Sequence, residues 1–308
     1  MFLFALLPLL PVLASANNHE FKIMGGEECT SDQFPFVVKI NVNVNGQTGI
    51  CTGSIIGRKH VLTASHCVIA EGDKSLKVLP AKSFTVLVTD YKSARQKKHV
   101  VSKVIAHYNY DGAKHNDIAI LELENEVSGN SNSNRIVYLT SADEVFPRDG
   151  TNLTVIGYGY AVYGEHFTER DPLNPVILSK TELGMIIKAN HNGGDKTASS
   201  LTRSNPGQCR FVDVPVNNID DCRKTLNVNL IEEIEFCAGS VWSGTQSGDS
   251  GGPIIYKNPG RQFQIGLTSF GKTFKTTKKN PIDYGVYTRI SAYCDWISIA
   301  TGNNVQCI

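Results

Sequence analysis

Gly248-Asp249-Ser250-Gly251-Gly252-Pro253 is the stretch on which the reading of this chain turns. It follows the Gly- and Ser-containing run Ser243-Gly244-Thr245-Gln246-Ser247. Taken as a plain glycine-rich turn, it leaves one serine between an aspartate and two glycines without a reason. Taken as a reactive site it makes sense, because glycine lets the main chain turn sharply and lets another molecule approach the backbone closely. A serine hydroxyl is a weak nucleophile at neutral pH and needs a base within hydrogen-bond reach. Outward from Ser250, two further motifs supply candidates. Thr63-Ala64-Ser65-His66-Cys67 follows the apolar pair Val61-Leu62, and Asn116-Asp117 opens the apolar run Ile118-Ala119-Ile120-Leu121. Each is modest evidence alone, since a lone histidine is more often structural. Together they offer a nucleophile, a base and a carboxylate.

The remaining sequence bounds what such a site belongs to. The 308 residues suffice for two barrel-sized halves in one unit. A formal net charge of +1 gives no reason to expect a nucleic acid or a membrane surface as partner, and Lys97-Lys98 and Lys278-Lys279 are short. The opening residues MFLFALLPLLPVLASA are apolar, uncharged and closed by Ala14-Ser15-Ala16, the small-x-small pattern of a signal-peptidase site. Residues 1–16 are therefore expected to be a signal peptide and the mature protein to be secreted. The run is too short, and too broken by Pro8 and Pro11, for a membrane span of about 20 residues. All eight cysteines lie beyond it, and an even count behind a signal peptide argues for disulfides in an oxidising compartment. No pair has C-x-x-C spacing, so no metal is expected.

Short segments rich in β-branched and aromatic residues recur: Phe36–Ile40, Phe84–Val88, Val100–Ile105, Ile118–Leu123, Leu153–Ile156 and Gln264–Phe270. Asn45-Gly46, Asp149-Gly150 and Asn258-Pro259-Gly260 punctuate them. This is an all-β pattern, and periodicity does not choose between sandwich and barrel. Two helices are predicted. One follows Asn217 or Asn218 and runs to about Leu226. The other starts near Ser291, where Tyr293, Trp296, Ile297 and Ala300 form one apolar face and Gly302 is a stop. Residues 128–134, SGNSNSN, could join two halves, with the junction near 128–140. Tyr160 to Gln208 is polar, irregular and long for a loop.

In this order and behind a signal peptide, the His66, Asp117 and Ser250 motifs resemble those of the trypsin/chymotrypsin-like serine proteases, over nearly the whole chain from Ile23 onward. The resemblance implies two packed six-stranded antiparallel Greek-key β-barrels with a C-terminal helix, and a peptidase domain over 23–308. It implies that His66 takes the Ser250 proton and returns it to the leaving amine while Asp117 orients the ring. Gly248 and Ser250 would supply the N–H groups of an oxyanion hole. Ile23-Met24-Gly25-Gly26 resembles the family's mature start, which makes residues 17–22 an activation propeptide cut after Lys22. The freed Ile23 ammonium would then pair with Asp249 and order the site. The implied disulfides are Cys29–Cys209, Cys51–Cys67 and Cys222–Cys237. Cys294 and Cys307 remain and are expected to pair with each other.

The chain departs from the family at the substrate pocket. Where trypsin-like members carry an aspartate, six residues before the serine, stands Gly244, followed by Thr245. Gln246 replaces a pocket cysteine whose partner is also missing between Lys272 and Lys279. The wall strand is intact as Ser269-Phe270-Gly271, and Gly285 sits in Tyr284-Gly285-Val286-Tyr287. A pocket lined by Gly244, Gly271 and Gly285 has no fixed negative charge, so a bulky apolar or aromatic preference, or a broad one, is expected, with another protease needed to cut after Lys22. The 160–208 segment resembles a much lengthened autolysis loop, an exosite or a tolerated insertion. The loop after Asp90 lacks the paired carboxylates of calcium-binding relatives, and no cofactor is expected. Asn152-Leu153-Thr154 is a glycosylation sequon. Expected partners are protein or peptide substrates, an activating protease and protein inhibitors, the protein itself being monomeric by family habit. The alternative is a protease-shaped binding protein that does not cleave.

Overall fold

In a computed structural model of the chain, the described residues are 26–30, 33–72, 75–90, 95–112, 115–127, 136–140, 148–159, 208–241, 243–258, 260–275 and 281–308. The signal peptide and propeptide with Lys22 and Ile23, the 128–135 joint and the 160–207 stretch lie outside them.

A short strand β1 (Glu27–Glu28) precedes the first barrel. That barrel is built from β2 (Val37–Val44), β3 (Gln47–Ile55), β4 (His60–Thr63), β7 (Phe84–Asp90), β8 (Arg95–Ala106) and β9 (Ala119–Leu123). Between β4 and β7 come a one-turn helix α1 (Ser65–Val68) and the hairpin of β5 (Ile69–Gly72) and β6 (Ser75–Val78). The six strands close in the order β2-β3-β4-β9-β8-β7 because β7 pairs back onto β2. Asn45 and Gly46, both at positive φ, make the two-residue turn between β2 and β3. This is the Asn-Gly chemistry whose twist matches a hairpin.

The second barrel follows β10 (Tyr138–Leu139), a short strand that runs parallel to β15. Its strands are β11 (Asn152–Gly157), β12 (Arg210–Asn217), β13 (Glu235–Ala238), β14 (Pro253–Asn258), β15 (Arg261–Lys275) and β16 (Pro281–Arg289). Their order is β12-β11-β14-β15-β16-β13, closed by the antiparallel pairing of β12 with β13. Along β12, Val212, Val214 and Val216 are buried while their neighbours are more exposed, as the two-residue period of a strand requires. They meet Leu153, Val155, Phe236, Ile254, Ile265 and Tyr287 in this barrel's core. The larger core lies in the first barrel and at its contact with the second, where Leu121, Ile156, Ile255 and Leu267 pack together. The architecture the family resemblance implies is present: two six-stranded antiparallel barrels and a C-terminal helix.

Helix α2 (Ile219–Leu226) starts at Asn218, whose side chain accepts the N–H groups of Asp220 and Asp221, and ends at Asn227 in the left-handed region. Helix α3 (Cys294–Ala300) follows a 3-10 turn over Ile290–Tyr293. It docks on the first barrel, where Tyr293 and Trp296 enclose the ring of His107 and Ile297 is fully buried. Disulfides join Cys29 to Cys209, Cys51 to Cys67, Cys222 to Cys237 and Cys294 to Cys307. Among the described residues, no helix is long and apolar enough to cross a membrane.

Candidate active site

Strand β4 ends at buried Thr63, and the chain turns at once into α1, which carries His66. The backbone N–H of His66 donates to Asp117 Oδ1 at 2.9 Å, and its ring Nδ1 lies 2.7 Å from Asp117 Oδ2. A proton on Nδ1 facing the carboxylate leaves Nε2 of the neutral ring as an acceptor. Asp117 is fully buried and takes a third donor, the Ser269 hydroxyl at 2.5 Å. Burial pushes its carboxyl up, but the His66 charge, the His66 hydrogen bonds and the Ser269 hydroxyl outweigh burial and hold it below the usual carboxylate range.

The Asp117 loop is anchored largely from outside its own barrel. Thr288 of β16 donates to the Asp117 carbonyl at 3.0 Å, and Tyr293, just before α3, donates to the Asn116 side chain at 3.1 Å. Ser65 donates to the Ile118 carbonyl at 2.7 Å. Nothing in the local sequence marks Thr288 or Tyr293, which lie 171 and 177 residues from their partners.

The Ser250 loop packs against the same corner. Thr52 of β3 donates its N–H to the Ser250 carbonyl and its hydroxyl to the Gly248 carbonyl, each at 2.9 Å. Its neighbour Cys51 is bonded to Cys67, next to His66, so two adjacent residues tie down both loops. A Cβ on Gly251 (φ +77°) would lie 2.1 Å from Thr63 Oγ1 and 2.7 Å from the Ala64 nitrogen. Only glycine fits where the serine loop crosses the strand end leading to His66. Gly248, at φ +101°, also needs glycine's freedom. The N–H groups of Asp249, Gly251 and Gly252 are used within the fold, whereas those of Gly248 and Ser250 meet no acceptor among the described residues.

Asp249 lies against the end of β11, where a Cβ on Gly157 would collide with its carboxyl group. It is fully buried and accepts the N–H groups of Gly159 and Gln246, each at 2.8 Å. Burial pushes its carboxyl up to about 7 against the pull of those two donors. Its proposed partner Ile23 lies outside the described residues.

The predicted pocket residues divide. Gly271 pairs with Gly285 across β15 and β16, and a Cβ on Gly271 would lie 2.9 Å from the Tyr284 carbonyl. Phe270 buries its ring in a cluster with Cys222, Leu226 and Val286, and the Ser269 hydroxyl donates to Asp117. Gly244 is buried, and the Thr245 N–H donates to Asp283 Oδ2 at 3.0 Å. A Cβ on Gly244 would lie 2.0 Å from that same oxygen. The Asp283 carboxylate, 1% exposed, thus stands against this glycine. Asp283 escaped notice because it precedes Gly285 on β16 and stands outside the serine loop.

Cys51, Cys67 and His66 cluster within 4.8 Å, but the two sulfurs are joined to each other and offer no thiolate to a metal. Asn152 stands exposed at the start of β11.

Two closed barrels that bring a histidine–carboxylate pair and a glycine-flanked serine loop to one corner define a class, and comparison with known proteins makes it specific. A Trypsin family model matches residues 23–197 and 192–297. The chain is 28% identical over 284 residues to coagulation factor IX of Cavia porcellus, covering 90% of this chain and 80% of that protein. It is 29% identical over 285 residues to tryptase of Mus musculus, covering 89% and 87%. It is 27% identical over 290 residues to CLIP domain-containing serine protease B4 of Anopheles gambiae, covering 90% and 69%. The chain belongs to the trypsin/chymotrypsin-like family of serine proteases.

Proposed function

We propose that the protein is a secreted serine endopeptidase, made as a precursor, that works through His66, Asp117 and Ser250. The observation that carries this reading is the buried Asp117 with its three donors, two of them from His66, beside a serine loop clamped by Thr52. In that geometry Ser250 Oγ attacks the scissile carbonyl carbon while His66 Nε2 takes the hydroxyl proton. Asp117 stays ionised and stabilises the imidazolium. The new oxyanion accepts the N–H groups of Gly248 and Ser250. His66 then protonates the leaving amine, and water, activated by the same ring, releases the acyl group from Ser250.

Residues 1–16 are removed on secretion, and residues 17–22 keep the protein inert until the bond after Lys22 is cut. The state of Asp249 supports this: a buried carboxyl raised to about 7 regains its charge if an ammonium arrives, and Ile23 supplies one. Substrates are proteins or peptides, and Asn152, being exposed, is open to glycosylation.

A fluorophosphonate probe applied to the purified protein before and after controlled cleavage at Lys22, with the adduct mapped by mass spectrometry, tests the proposal. Labelling of Ser250 only after cleavage is the expected result. Equal labelling before cleavage removes the precursor step. No labelling in either form, with Ile23 verified as the new N-terminus, removes the enzyme and leaves the non-cleaving binding protein.

A further inference from the structure

We infer that His115 and Glu235 form a strap between the two barrels that positions Asp117, and that both are positioning residues for the peptide-bond hydrolysis. The inference rests on the endopeptidase reading above. It adds to His66, Asp117 and Ser250 a pair that acts through Asp117.

The pair joins elements far apart in the chain. His115 stands two residues before Asp117, on the loop that leads into β9 of the first barrel, and Glu235 opens β13 of the second. His115 Nδ1 lies 3.0 Å from Glu235 Oε1. The Glu235 side chain is 3% exposed and that of His115 21%, so salt and water screen the contact little. The carboxylate is held on both oxygens, because Oε2 accepts the Ile231 N–H at 2.8 Å. The Glu235 N–H in turn donates to the Ile231 carbonyl at 2.8 Å. Burial pushes the Glu235 carboxyl up, against the pull of the Ile231 N–H and of His115, and the Asp111 charge adds to the push. A carboxylate so placed needs the imidazole as its counter-group.

The register of the second barrel turns this contact into a grip on the aspartate. Glu235 pairs with Thr288 across β13 and β16, so their side chains leave the same face of the sheet. Thr288 donates its hydroxyl to the Asp117 carbonyl at 3.0 Å. Two cross-strand neighbours thus hold positions 115 and 117. Asn116 between them is at φ +56°, in the left-handed region, where a residue other than glycine persists only if its surroundings hold it there. Tyr293 holds its side chain through a 3.1 Å hydrogen bond. Each of the three residues therefore has its own anchor outside the first barrel, and Glu235 anchors the first of them. Without that anchor the turn at Asn116 can relax toward ordinary backbone and swing the Asp117 carboxylate off the line to His66 Nδ1, now 2.7 Å away. A small misplacement of this kind is costly to turnover.

The test compares His115→Ala with wild type, both cleaved after Lys22, with active sites counted by fluorophosphonate labelling of Ser250. Turnover of a peptide substrate per labelled site should fall about 10- to 100-fold in kcat with KM within about twofold, because the pair acts on a catalytic group and not on substrate binding. The low-field proton resonance of the hydrogen bond between His66 Nδ1 and Asp117 should shift or broaden in the same variant. His115→Lys returns a cation to Glu235 and should recover kcat to within about fivefold of wild type. If His115→Ala labels poorly because it strands a buried carboxylate, the double variant with Glu235→Gln removes that charge and leaves the strap cut. It should label fully and show the same loss of kcat. A lower melting temperature with kcat per labelled site and the low-field proton both unchanged, in His115→Ala or in the double variant, overturns the inference and leaves the endopeptidase standing. So does a His115→Lys variant as slow as His115→Ala. A wild type that neither labels nor cleaves overturns the endopeptidase reading and this inference with it.

Discussion

Asp117 and Asp249 are both fully buried, one reached through the first barrel and the other through the second. Asp117 receives a ring nitrogen, a backbone N–H and a hydroxyl, and its pKa is held below the ordinary carboxylate value. Asp249 receives two backbone N–H groups, and its pKa is raised to about 7. Equal burial thus goes with pKa shifts in opposite directions, and the difference lies in the donors. A buried carboxylate is tolerable when a group able to carry positive charge stands against it; neutral donors alone offset only part of the desolvation. On the proposed mechanism, the Asp117 site is complete within the folded chain and the Asp249 site awaits a cation released by cleavage.

The largest expected effect tests the complete side. Asp117→Asn should lower kcat of the cleaved protein about 10⁴-fold, because an amide in place of the carboxylate favours the wrong ring tautomer of His66. Single-turnover kinetics on protein with a verified Ile23 terminus measures it. A loss under tenfold would mean that the His66–Asp117 contact is structural.

Asp249→Asn should act in opposite directions before and after cleavage. With its native-state pKa above the unfolded value, the native precursor binds the extra proton between about pH 4 and 7, so this group lowers stability as pH rises through that window. A rise of about three units corresponds to at most about 4 kcal/mol at pH 8. The uncleaved Asp249→Asn precursor should therefore be more stable than wild type at pH 8 and no more stable at pH 4, by denaturant melts at each pH. After cleavage the same variant should lose at least about 100-fold in kcat/KM, since the ion pair ordering the N–H groups of Gly248 and Ser250 is gone. Equal effects in both forms would break the contrast between the two aspartates.

The contrast also shows what the sequence could and could not say. Ser250, His66 and Asp117 announce themselves through short local motifs, and the strands through their β-branched runs. Barrel closure does not announce itself, because it depends on β12 meeting β13 and β7 meeting β2, pairings that leave no local trace. The groups that hold Asp117 are hidden for the same reason: Ser269 lies 152 residues away and looked like pocket wall. Asp283 was hidden more thoroughly. It comes from a strand that follows the serine loop, and its side chain occupies the space that a residue other than glycine at 244 would need.

Ser269→Ala sharpens the comparison by removing one donor from Asp117. A hydrogen bond to a charged group is worth about 1.5–3 kcal/mol, so kcat should fall about 10- to 150-fold. KM should stay within twofold if the hydroxyl serves Asp117. If the side chain instead lines the pocket, KM will move and kcat will not.

The smallest catalytic effect is expected where the Asp117 loop meets the C-terminal helix. Tyr293 donates to Asn116 one residue before Cys294, which is bonded to Cys307. Replacing both cysteines by alanine opens a loop with a sequence separation of 13, for which chain-entropy reasoning gives about 3 kcal/mol of lost stability. Ile297 is fully buried and Tyr293 and Trp296 still enclose His107, so the helix should remain docked in the native state and hold Asn116 as before. The melting temperature should drop by several degrees with kcat within about threefold of wild type. A large loss of kcat at a temperature where the variant is folded would show that Asp117 depends on the C-terminal disulfide for its position. The first site would then be no more self-sufficient than the one around Asp249.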